Sequence, residues 1–116
     1  MTKHQKPKVL FYDIETLPFE IKAFCWDPWN IIKPVDAEII HPATIVTLAY
    51  KWMGESKTHC FIADPKNVRD DRQLLIAFSK IMEQADYIVG HYSKKFDTKF
   101  VNARLLANKL PPVAIP

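Results

Sequence analysis

Apolar residues along this chain fall into short runs bounded by turn residues, and then into two stretches with helical spacing. Residues 8–15, KVLFYDIE, combine β-branched and aromatic residues and predict a largely buried first strand, closed by Thr16, Leu17 and Pro18. Residues 19–41 have no regular alternation and contain Trp26, Pro28, Trp29 and Pro34, which predicts a long excursion with little regular structure. A connection of that length in a compact domain often has a function of its own. Residues 44–52, TIVTLAYKW, predict a second strand, and residues 53–57 with Gly54 a turn into a third at 59–63, the two being hairpin neighbours. Leu74, Leu75, Phe78, Ile81 and Met82 recur at helical spacing within residues 68–83, with Asp70 and Asp71 in the first turn, where the helix dipole favours acids. Residues 87–90 read as a short buried strand. Residues 96–110 read as a second helix with Phe96, Phe100, Ala103 and Ala107 on one side, stopped by Pro111 and Pro112.

The resulting order, three strands, helix, strand, helix, predicts an α/β fold with a mixed sheet and a crossover helix, in one domain spanning residues 1–116. Such a layered sheet ordinarily continues with another strand or helix to cover it, so the domain is expected to be incomplete at its C-terminus. Composition agrees with a folded domain: hydrophobic residues make up 48% and charged residues 25%, enough to bury a core. Nine prolines against two glycines exclude collagen-like and flexible-linker classes. No apolar run is long enough for a membrane span, and Asp13 and Glu15 interrupt the stretch behind the basic start, so a cytoplasmic protein without a secretory signal is expected. Cys25 and Cys60 lack the spacing of a zinc site or a disulfide framework and are expected to be buried, reduced thiols.

Net charge is only +3, but its placement is uneven: residues 94–109 hold five basic residues and the single acid Asp97. That density could meet a phosphate backbone, while taken by itself it reads as a solvated helix face. Asp13 and Glu15 stand two positions apart on the predicted first strand, so both side chains leave the same face. Two adjacent carboxylates repel each other unless a cation lies between them, and hard oxygen donors favour Mg²⁺ or Mn²⁺. The alternative is a pair of acids at a strand end facing water. Asp97, at the start of the second predicted helix, is either a third ligand or a helix cap.

Taken together, KVLFYDIETLP and the later ADYIVGHYSKKFDTKF resemble the first two motifs of the DEDD-type, DnaQ-like 3'-5' exonucleases of the ribonuclease H-like superfamily. Asp13, Glu15, Thr16 and Leu17 match the first motif; Gly90, His91, Phe96 and Asp97 match the second. The resemblance spans roughly residues 8–110 and is nearest, loosely, to predicted exonucleases of phages and bacteria. It implies a ribonuclease H-like mixed sheet with flanking helices. It also implies that Asp13, Glu15 and Asp97 are catalytic and hold two Mg²⁺ or Mn²⁺ ions about 3.5–4 Å apart, for hydrolysis of a terminal phosphodiester to a nucleoside 5'-monophosphate. Thr16 and Leu17 would contact the terminal nucleotide, Phe96 would line the substrate site, and Lys94, Lys95 and Lys99 would neutralise substrate phosphates. The implied partner is the 3' end of single-stranded DNA, with RNA as the other choice, and the domain would be fused to or associated with replication proteins.

The chain departs from the family at two places. Tyr92 stands where members often carry Asn, so a contact to the terminal sugar would become stacking or a hydroxyl bond. The third motif, with a fourth acid, is absent, since residues 98–116 contain no acid. That absence raises a second reading, a truncated or degenerate ribonuclease H-like module that binds nucleic acid or a protein without cleaving. A third, another Mg²⁺-dependent phosphotransfer domain, fits the second motif less well.

Overall fold

The computed structural model describes residues 6–24, 35–90 and 97–113, with only the backbone at 35 and 36. Among these the elements are, in chain order, β1 (Val9–Leu17), β2 (Glu20–Phe24), β3 (Val35–His41), β4 (Thr44–Trp52), β5 (His59–Ile62), α1 (Arg72–Glu83), β6 (Tyr87–Gly90) and α2 (Thr98–Ala107). The main sheet has the spatial order β5-β4-β1-β6. β4 lies antiparallel to both β1 and β5, while β6 lies parallel to β1. A parallel partner needs a long crossover, and α1 supplies it. The fold is therefore mixed α/β, with the expected strand–helix–strand return. None of the described helices is long and apolar enough to cross a membrane.

Alternation in β1 sets the core. Leu10, Tyr12 and Ile14 are buried, and their register partners on β4 include Tyr50 and Leu48, also buried. Leu74, Leu75, Phe78 and Met82 of α1 and Val101 and Leu105 of α2 pack on that same face. Phe78 is central: its ring centroid lies 5.2 Å from that of Tyr12 and 6.1 Å from that of Tyr50. The turn after β4 holds Gly54 at φ +91°, a conformation that residues with a Cβ rarely adopt.

Several expectations change. The stretch read as irregular contains β2 and β3, which pair antiparallel as a separate two-stranded ribbon with Ile21 opposite Ile39 and Lys22 opposite Glu38. Its pattern was hard to recognise because its apolar residues gain no buried face: Phe24 is 74% exposed and Ile39 60%. Arg69 fastens the root of the ribbon, donating to the Pro18 carbonyl at 3.1 Å and the Pro42 carbonyl at 2.9 Å. Cys25, Trp26, Pro28, Trp29 and Pro34 lie outside the described residues. β6 is not a buried strand, since Tyr87 and Val89 are exposed. Cys60 is exposed rather than buried.

Both helices also differ from expectation. α1 begins at Arg72, so Asp70 and Asp71 precede its first turn. Asp71 is instead fully buried. Arg104 donates to it through Nε at 2.7 Å and Nη2 at 2.9 Å, and Asn108 Nδ2 and the Ile45 N–H each donate at 3.1 Å. This cluster joins the head of α1, the tail of α2 and the start of β4. α2 buries Thr98, Val101 and Leu105, whereas Ala103 and Ala107 are exposed and Phe100 is half-buried. Two polar contacts hold the helix in that rotation: Thr98 to Tyr12 at one end and Arg104 to Asp71 at the other. Phe96 lies outside the described residues.

Candidate functional site

The parallel register runs from Val9 opposite Tyr87 to Tyr12 opposite Gly90. Described β6 stops there, while β1 continues along β4 from Asp13 to Leu17. Asp13 and Glu15 thus stand at the carboxyl end of the parallel pair, where open α/β sheets receive ligands. The pleat turns them away from the core, onto the face that also carries Phe11, and both are exposed. Their register partners on β4, Ala49 and Thr47, are small and leave room above the strand. A shallow concavity of about 720 Å³ opens here, lined by both acids together with Phe11, Lys51 and Val89. Among the described residues no ion pair engages Asp13, Glu15 or Lys51. Two hard carboxylates side by side, with no cation paired to them among the described residues, form a donor set suited to a divalent ion.

Thr16 and Leu17 are half-buried beyond a shift in register between Glu15 and Thr16. The residue skipped at that shift, Val46, belongs to β4.

Asp97 immediately precedes α2 and is only 5% exposed. Its side chain makes no capping hydrogen bond, so the cap role considered from sequence is not the one it takes. It acts instead on Tyr12, whose hydroxyl shares a 2.6 Å hydrogen bond with Thr98 Oγ1. Burial, with a further push from the Asp97 charge, raises the Tyr12 phenol to about 12, while the Thr98 bond acts in the opposite direction. The hydroxyl therefore keeps its proton at neutral pH. Tyr12 belongs to the covered side of β1, and Asp13 and Glu15 to the open side. The structure brings Asp13 and Glu15 together; Asp97 shares their end of the sheet without lining their concavity. Among the described residues no three His, Cys, Asp or Glu side chains gather as a metal-ligand group.

The basic stretch is also divided. Lys99 and Lys109 are exposed on and after α2, but Arg104 is committed to Asp71, so the five charges do not share one solvated face. His91, Tyr92, Lys94, Lys95 and Phe96 lie outside the described residues. Sequence reasoning passed over Phe11, Lys51 and Val89. The signal for Phe11 was present, because alternation that buries Leu10, Tyr12 and Ile14 must place Phe11 with Asp13 and Glu15. Compared with known protein families, curated proteins and solved structures, the chain matches none.

Proposed function

We propose that this chain carries a ribonuclease H-like, DEDD-type 3'-5' exonuclease domain bearing the first two motifs of that family. Its reaction is metal-dependent hydrolysis of the terminal phosphodiester of single-stranded DNA, or of RNA, releasing nucleoside 5'-monophosphates. The observation that carries the reading is the Asp13–Glu15 pair, exposed on the open face at the carboxyl end of the parallel β1–β6 pairing with no ion-pair partner among the described residues. The sheet supports it: three antiparallel strands are followed by a crossover helix, a strand parallel to β1, and a helix headed by Asp97.

Asp13 and Glu15 would hold Mg²⁺ or Mn²⁺; Asp97, on the covered side of β1 and outside their concavity, is assigned as a third ligand on the motif alone. When bound, such ions supply Lewis-acid stabilisation of the phosphoryl oxygens and a water of lowered pKa. The chain contributes the placement. β1 holds both acids on one face, and the protonated Tyr12 hydroxyl, bonded to Thr98, ties the head of α2 to β1. Lys99 brings positive charge to the same helix turn, and Thr16 and Leu17 border the path of the terminal nucleotide. Tyr92, Lys94, Lys95 and Phe96 are assigned to the substrate on the motif alone.

The test is Mn²⁺ titration by calorimetry together with degradation of 5'-labelled single-stranded DNA. Asp13→Ala is expected to abolish both while the far-UV dichroism stays unchanged; full activity in the variant would refute the metal assignment. The non-catalytic reading is favoured by one observation, the lack of a three-acid group among the described residues. It predicts oligonucleotide binding with no degradation at saturating Mn²⁺.

A further inference from the structure

The open face of the sheet holds more than the acid pair. Phe11, two residues before Asp13 and on the same face, is 40% exposed. It is flanked in register by Lys51 on β4 and by Val89 on β6, itself 44% exposed. All three line the concavity that Asp13 and Glu15 also line. An aromatic ring left this accessible in mid-sheet is expensive to hydrate, and the helices that close the other face do not reach it. Same-face neighbours on a strand lie about 7 Å apart, so the ring sits one short step along β1 from the acids.

We propose that Phe11 is a stacking platform for a nucleobase and that Lys51 meets the adjoining phosphate. Together they would form a subsite for the nucleotide next to the one held at Asp13 and Glu15. This rests on the nuclease reading and names the substrate class of that same concavity, a single-stranded nucleic acid with unpaired bases. The face is mixed rather than uniformly apolar: a ring and an aliphatic side chain for a base, one cation for a phosphate, and two acids for a metal. That combination suits an extended single strand, whose base and phosphate alternate, better than the apolar surface of a protein partner.

The test uses the full chain with Mn²⁺ and a fluorescein-labelled oligothymidylate whose 3'-terminal linkages are phosphorothioates. Phe11→Ala is expected to weaken binding about five- to hundredfold, the range that stacking on an aromatic ring supplies, while Mn²⁺ affinity stays unchanged. Phe11→Trp should restore binding, and an abasic unit at the second position from the 3' end should cancel the difference between Phe11→Ala and the parent. Lys51→Ala should lower the salt slope of binding by about 0.7. Parental oligonucleotide affinity in Phe11→Ala, with Mn²⁺ affinity still lost in Asp13→Ala, would overturn the platform and leave the metal site standing. Failure of the parent chain to bind Mn²⁺ would instead remove the nuclease reading beneath it. A protein partner would show as a mass in light scattering that falls in Phe11→Ala with oligonucleotide affinity intact, and that too would overturn the proposal.

Discussion

The two faces of the main sheet are built from the same strands and serve opposite ends. On one, Leu10, Tyr12, Ile14, Leu48 and Tyr50 meet α1 and α2 and are almost wholly removed from water. On the other, Phe11, Asp13 and Glu15 alternate with them along β1 and stay exposed. Because side chains alternate between the two faces of a strand, the core residues and the candidate site are interleaved in sequence yet divided in space. A residue can then be changed on one face with little effect on the other, and this separation is open to experiment.

The largest expected effect lies on the open face, where Asp13→Ala should remove metal-dependent degradation altogether while thermal unfolding stays within about 0.5 kcal/mol of the parent. The covered face should show the converse. Phe78→Ala empties the centre of the core and should cost about 3–5 kcal/mol in urea unfolding, whereas Phe11→Ala, also a phenylalanine deletion, should be nearly silent in the same measurement. A Phe11→Ala variant that unfolded as readily as Phe78→Ala would break the division between the faces.

Asp71→Ala should cost a comparable amount, about 3–5 kcal/mol, because it strands the Arg104 guanidinium, only 12% exposed, without its carboxylate. Substituting both residues with apolar side chains of similar volume should recover much of the loss. That recovery would show that the pair orients α2 rather than adding net stability.

The smallest effect is a pH dependence at Tyr12. Its phenol is held at about 12 in the folded state against an ordinary 10.0, so folding favours the protonated form. The resulting stability is complete below pH 10 and is lost as pH rises from there to about 12, with a slope of at most about 1.4 kcal/mol per pH unit. Tyr12→Phe should remove this alkaline slope. Near neutral pH it should cost about 1 kcal/mol, since it leaves the buried Thr98 hydroxyl without its partner. An unchanged alkaline slope in Tyr12→Phe would place the titration elsewhere.

Some of this architecture could be read before any coordinates. β4 and β6 begin and end where their apolar runs do, and α1 buries four of the five residues picked out by helical spacing, with Ile81 half-buried. The shared face of Asp13 and Glu15 follows from strand alternation alone. The ribbon of β2 and β3 escaped notice because its order comes from pairing between strands, not from a face that must be hidden. Asp71 was misjudged because an acid just before a helix normally faces water or the helix dipole. Only the arrival of Arg104 and Asn108 from the far end of α2 makes its burial tolerable.

Local periodicity therefore determined the strands of the main sheet and the two helices, but not the β2–β3 ribbon, and put two acids on one side of β1, because the 2.0 and 3.6 repeats are properties of the chain itself. The tertiary structure alone decided which side of the sheet the helices close, how α2 is rotated, and that Thr98 meets Tyr12 on the covered side while Asp13, Glu15 and Phe11 look outward. Those outcomes depend on surfaces contributed by residues distant in sequence, and no repeat within a segment encodes what will be packed against it.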